Sequence, residues 1–214
     1  MGIMKEVKTQ TLGEEIANSI SHGVGAGLSV AALVLIILKS CSSSTAIGIV
    51  SAAIYGGSLV LLYLFSCLYH ALSKTGARKV FQVLDHCSIY ILILGTYAPI
   101  SLWTIGGAMG WTVFSINIAC TIIGIVFTSI NIEKWHKASL VLYVIMGWLI
   151  IISIKPVLAL GRNAVLLLVL GGILYTAGII FYKKKELKYF HFIWHIFVLG
   201  GSILHFFFIY FYVY

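Results

Sequence analysis

Long apolar stretches alternate with short polar ones along the chain. A helix needs about 18 residues or more to cross roughly 30 Å of hydrocarbon. Seven runs of that kind are present, at 16–38, 45–72, 79–104, 108–131, 138–155, 164–182 and 190–212. Each predicts a transmembrane helix. The polar connections between them are short, so consecutive helices are expected to be antiparallel neighbours in an all-α, seven-helix bundle. On this reading, residues 1–15 form an N-terminal tail and 16–214 a single transmembrane domain. The first run is too long for the core of a signal peptide and lacks an obvious small-residue cleavage site, so no processing is expected.

Composition narrows the class further. Only 9% of the residues are charged and 61% are hydrophobic, whereas soluble domains average roughly a quarter charged. Such a chain cannot cover a water-exposed core, so its solvent is lipid. The net charge of +8 would suit nucleic acid, but the basic residues sit in short clusters between apolar runs, which is a topology signal. One side carries Lys5, Lys8, Lys74, Arg78, Lys79, Lys134, Lys137, Lys183, Lys184, Lys185 and Lys188, and the other only Lys39, Lys155 and Arg162. Eleven against three puts the N-terminus in the cytoplasm and the C-terminus outside, as expected of a multi-pass plasma-membrane protein. Cys41, Cys67, Cys87 and Cys120 show no CxxC spacing and predict no disulfide framework.

Polar chemistry inside the spans is concentrated. The lysines, arginines and glutamates fall in loops, the tail or span edges, leaving Asp85 as the one formally charged side chain expected within a span. A carboxylate at the bilayer centre costs about 2.5–3.5 kcal/mol on insertion scales, so it should face the bundle interior and have a task. Histidines join it: His22 in the first span, His70 in the second, His86 in the third, and His191, His195 and His205 in the seventh. His136 reads as an interfacial loop residue. With alternating directions, His22, His70, Asp85, His191 and His195 fall in one leaflet, so four helices bring imidazole or carboxylate to the same level.

Spacing gives this level a chemistry. His191 and His195 are four residues apart and present two nitrogens on one helix face, and His70 adds a third from another helix. Three neutral nitrogens suit a zinc ion with a fourth position open, the catalytic type of site. Asp85 would hold the water at that position, as base or as hydrogen-bond acceptor, and Ser66, one turn from His70, would hydrogen-bond the reacting oxygen. The plainer readings are an interhelical hydrogen bond for the histidine pair and a back-bonded helix serine for Ser66. His205 lies ten residues beyond His195, about 15 Å along the helix, and reads as a structural hydrogen-bonding residue. His86 points about 100° away from Asp85 and reads as packing or supporting.

These residues resemble the haemolysin III family of bacterial membrane proteins, which is related to the progestin and adiponectin receptors and to the alkaline ceramidases. Glu15, Asn18 and His22 match its first motif, E-x-x-N-x-x-x-H. Ser66 and His70, followed by Asp85 and His86, match the second, and the HxxxH pair of the last span matches the third. The resemblance implies zinc held by His70, His191 and His195, with Asp85 joining directly or through water. Glu15, Asn18, His22 and His86 then support the site, with Asn18 and His22 hydrogen-bonding neighbouring helices and Glu15 accepting from a basic or amide partner.

Three functions compete at this stage. The first is a zinc-dependent lipid hydrolase, ceramidase-like, taking a membrane lipid into the bundle interior and serving lipid homeostasis. The second is a cytolysin or pore, but the second half of the last span, residues 200–214, is polar only at Ser202, His205 and the tyrosines, a poor lining for a wide aqueous pore within one chain. An oligomeric pore, and a homo-oligomer in general, stay open. The third is a receptor-like signalling protein with structural zinc.

Overall fold

The structure is a computed structural model and describes residues 10–184 and 187–214. Most of the expected tail, with Lys5 and Lys8, and the loop residue Lys185 lie outside the described residues. Among the described residues there are seven helices long and apolar enough to cross a membrane and no strand. They are span 1 (Leu12–Ser43), span 2 (Ala46–Ala71), span 3 (Arg78–Ile105), span 4 (Gly107–Ile130), span 5 (Ile132–Leu158), span 6 (Arg162–Lys183) and span 7 (Phe190–Val213).

Span 1 starts four residues earlier than its apolar run. Thr11 caps it, its hydroxyl oxygen accepting from the Glu14 amide while the Glu14 carboxylate accepts from the Thr11 amide at 2.9 Å. This reciprocal arrangement satisfies two donors that a helix start otherwise leaves open. Glu14 and Glu15 are therefore inside the helix and buried, and Asp85 is not the only acid in a span.

The faces of span 1 are reversed relative to a soluble helix. Leu12, Ile16, Ile20, Val24 and Leu28, every fourth residue, are exposed, while Glu15, Asn18, His22, Gly25 and Ser29 are buried. Apolar outside and polar inside is the arrangement a lipid solvent rewards. Gly25 allows a close approach, since a Cβ there would stand 2.5 Å from the Tyr63 ring.

Spans 1, 2, 3, 5, 6 and 7 pack in succession and close on one another, and all six contribute residues to one interior cavity. Span 4 packs outside them, against spans 3 and 5. Span 5 is interrupted where Leu149–Ser153 tightens into a 3₁₀ turn. The Tyr97 hydroxyl enters the ladder there, donating to the Gly147 carbonyl at 3.1 Å and accepting from the Ile150 amide at 2.7 Å. Pro156, lacking an amide proton, sits just beyond.

Candidate metal centre

The antiparallel order puts the start of span 1, the end of span 2 and the starts of spans 3 and 7 at one end of the bundle. His70 lies in the last turn of span 2, and His191 and His195 in the first turns of span 7. One potential ligand atom from each lies within 4.8 Å of the other two, with His70 and His195 buried and His191 half-buried. The ring centroids are 4.8–5.1 Å apart. The three histidines that the sequence put at one level thus converge in space.

Surrounding bonds orient two of the rings. His70 donates from Nδ1 to Glu15 Oε2 at 2.7 Å, and Arg78 donates to the other oxygen, Oε1, at 2.6 Å. The Nδ1 of His195 lies 3.3 Å from the Asn18 carbonyl and 3.1 Å from the Ser21 hydroxyl. A carbonyl only accepts, so the proton is on Nδ1 and Nε2 keeps a lone pair. In both His70 and His195, Nε2 is buried and has no hydrogen-bond partner. A protonated, anchored Nδ1 opposite an unpartnered Nε2 is the arrangement of a histidine prepared to ligate a metal.

The entry to span 7 is fixed from span 1. Tyr189, immediately before the helix, has φ of 61°, the only positive value outside glycine among the described residues. Its amide donates to Glu14 Oε1 at 2.8 Å. A non-glycine residue in this region costs about 1–3 kcal/mol, sustained only where surroundings dictate it. The strain sits two residues before His191.

The remaining residues divide. Asp85 is buried and lines the cavity, but the three-histidine group does not include it; its carboxylate is 3.6 Å from His86 Nδ1. Ser66 is buried with an unpartnered hydroxyl, so it is not the back-bonded serine of the plainer reading. His22 also lines the cavity, but instead of the expected hydrogen bonds to a neighbouring helix it stacks on His195, with centroids 3.6 Å apart and planes 8° apart. Both His22 nitrogens are buried without partners. Asn18 reaches the neighbouring helix through its backbone carbonyl; its side-chain amide donates to Gln10.

His86 bonds its own helix, Nδ1 donating to the Gln82 carbonyl at 2.8 Å, and meets the Tyr182 hydroxyl at 3.4 Å through Nε2. His205 donates from Nε2 to the Leu168 carbonyl at 3.1 Å, as a structural residue should. His136 lies within a helix rather than a loop and stacks on Tyr182. Arg78, Glu14 and Ser21 were not singled out from the sequence. The T-x-x-E spacing of Thr11 and Glu14 was the one local signal for the early helix start that buries both glutamates.

Residues 10–206 match the family described as Haemolysin-III related. The chain is 47% identical over 206 residues to Hemolysin-3 of Bacillus cereus, covering 96% of this chain and 94% of that protein. It is 43% identical over 203 residues to the Hemolysin-3 homolog of Bacillus subtilis (strain 168), covering 94% and 95%. A more distant likeness, 30% over 178 residues, links it to human Monocyte to macrophage differentiation factor, covering 77% and 71%.

Proposed function

Because this chain belongs to the haemolysin-III-related family of multi-pass membrane proteins, we propose that it is a zinc-dependent hydrolase of lipid amides working within the bilayer, in membrane-lipid homeostasis. One observation carries the reading: His70, His191 and His195 converge, and the first and last have their Nδ1 protons anchored and their Nε2 atoms buried without partners. The amide class rests on the resemblance to the alkaline ceramidases. The bias of basic residues supports a cytoplasmic N-terminus, which would put the centre in the cytoplasmic leaflet.

The three imidazoles would hold the ion. When bound, zinc supplies Lewis acidity, polarising a carbonyl oxygen and acidifying water near neutral pH. Glu15 and Arg78 keep His70 in its ligating tautomer, and the Asn18 carbonyl does the same for His195. Asp85, outside the trio but on the cavity wall, takes the proton of the attacking water and returns it to the departing amine. The C–N bond breaks, a C–O bond forms, and acid plus amine result. Ser66 offers its unpartnered hydroxyl to the reacting oxygen. Ile89, Leu92, Ile93 and Val198 give the cavity apolar walls suited to an acyl chain.

The test is zinc-loaded, purified protein assayed on lipid amides beside its Asp85→Asn variant. Amide cleavage by the wild type, lost in a variant that keeps its zinc, supports the reading. Zinc binding without cleavage of any amide or ester would favour a structural ion.

A further inference from the structure

A second concavity lies on the outside of the bundle, where span 4 meets span 5. Its walls are Ile123 and Phe127 of span 4 and Val141 and Ile145 of span 5, all of them exposed. Between the walls the residues are small: Gly124, Ala138 and Ser139. Gly124 has the Tyr90 ring of span 3 pressed against it, which closes the floor. The two helices thus border a groove that their own side chains do not fill. From Lys137 to Ile145 it follows span 5 for eight residues, which is about 12 Å of rise, the reach of roughly nine carbons of an extended chain.

The mouth of the groove is basic. Lys137 is exposed and lines it at the end nearest the connection between the two spans. Lys134 lies three residues earlier, on the same side of the helix, with its Nζ 5.3 Å from the centroid of the Trp135 ring. Trp135 in turn lies flat on Phe127, centroids 4.3 Å apart and planes 10° apart, and both rings line the groove. Tryptophan and lysine at the start of a span mark the level of the lipid headgroups. Glu133 is exposed in the same turn, but among the described residues no carboxylate stands within ion-pair distance of either lysine. We propose that this groove is a binding site for a phospholipid of net negative charge, with one acyl chain between spans 4 and 5 and the phosphate at Lys134 and Lys137. Basic clefts between spans suit such headgroups. A zwitterionic lipid also offers a phosphate, but it brings its own cation toward the two ammonium groups. The site is separate from the histidine centre and does not depend on the hydrolase reading.

The experiment titrates the purified full-length protein in detergent with dioleoylphosphatidylglycerol or dioleoylphosphatidylcholine and reads the affinity of the first bound lipid by native mass spectrometry. Phosphatidylglycerol should bind about five- to thirtyfold more tightly, the worth of one or two lysines beside an anionic headgroup. Lys134→Ala with Lys137→Ala should abolish that advantage. Lys74→Ala with Lys79→Ala removes the same charge at the same end of the bundle, outside the groove, and should leave the advantage intact. Ala138→Trp fills the groove and keeps both lysines, and it should cost the advantage as well. Glycerol 3-phosphate in large excess should not displace the lipid, because the chain supplies part of the binding. Thermal unfolding checks each variant; if Ala138→Trp does not fold, the two lysine pairs decide. Equal affinity for the two lipids overturns the proposal, as does an advantage lost equally from both lysine pairs, one that survives in folded Ala138→Trp, or displacement by glycerol 3-phosphate. A dimer that excludes the lipid and is broken by Ala138→Trp would give the groove to a second copy of the chain and overturn it too.

Discussion

Glu15 Oε2 accepts the Nδ1 proton of His70 at 2.7 Å, joining the first turn of span 1 to the last turn of span 2. The bond ties a buried charge to a ring whose other nitrogen faces the histidine centre. Arg78, from span 3, holds the opposite carboxylate oxygen, so the acid is neutralised from one side and used on the other.

Glu15→Gln should weaken zinc binding about 10- to 100-fold, the usual effect of losing a carboxylate behind a ligating histidine. Chelator competition reads this directly. Unchanged affinity would mean that Glu15 serves the fold and not the metal.

Zinc occupancy should fall with acid. Imidazole ligates only when neutral, so protons compete with the ion more strongly as pH drops. The sign is therefore full occupancy at neutral pH and loss on acidification. Zinc measured after equilibration across this range should follow that direction; flat occupancy down to pH 4 would argue against histidine ligation.

Asp85→Asn should leave the bundle at least as stable as the wild type, because a carboxylate within the bilayer costs more to desolvate than the neutral amide. Hydrolysis should drop by about 10²–10⁴, the range for a general base. Thermal unfolding and product analysis separate the two effects. A variant that unfolds gives Asp85 a structural role instead.

The seven spans, the shared depth of the histidines and the trio of His70, His191 and His195 were legible in the sequence, because apolar run length and an i, i+4 pair are local signals. The way the site is held was less so. Glu15 read as a tail residue because the apolar run starts after it, yet the Thr11–Glu14 cap draws the helix back over it. The face-to-face contact of His22 and His195 depends on how spans 1 and 7 cross, which no periodicity reports. Asn18 was expected to act through its side chain; its backbone carbonyl, carried by every residue type, does the work.

A cysteine introduced at Lys184 should be shielded from a membrane-impermeant thiol reagent applied to intact cells, and one at Tyr214 should react, on a background without Cys41, Cys67, Cys87 and Cys120. The expected pattern follows from the sequence, whose run of spans assigns eleven of the fourteen basic residues to the Lys184 side. The reverse labelling pattern would invert the topology and move the histidine centre to the outer leaflet.

The most direct measurement is the zinc content of the purified protein beside a variant carrying His70→Ala, His191→Ala and His195→Ala, with helicity recorded for both. About one zinc per chain is expected in the wild type, as one set of three histidines allows, and none in a folded variant. A folded variant that retains its full zinc, or a wild type that binds none when zinc is supplied at neutral pH, would contradict the assignment of these three side chains as the metal centre.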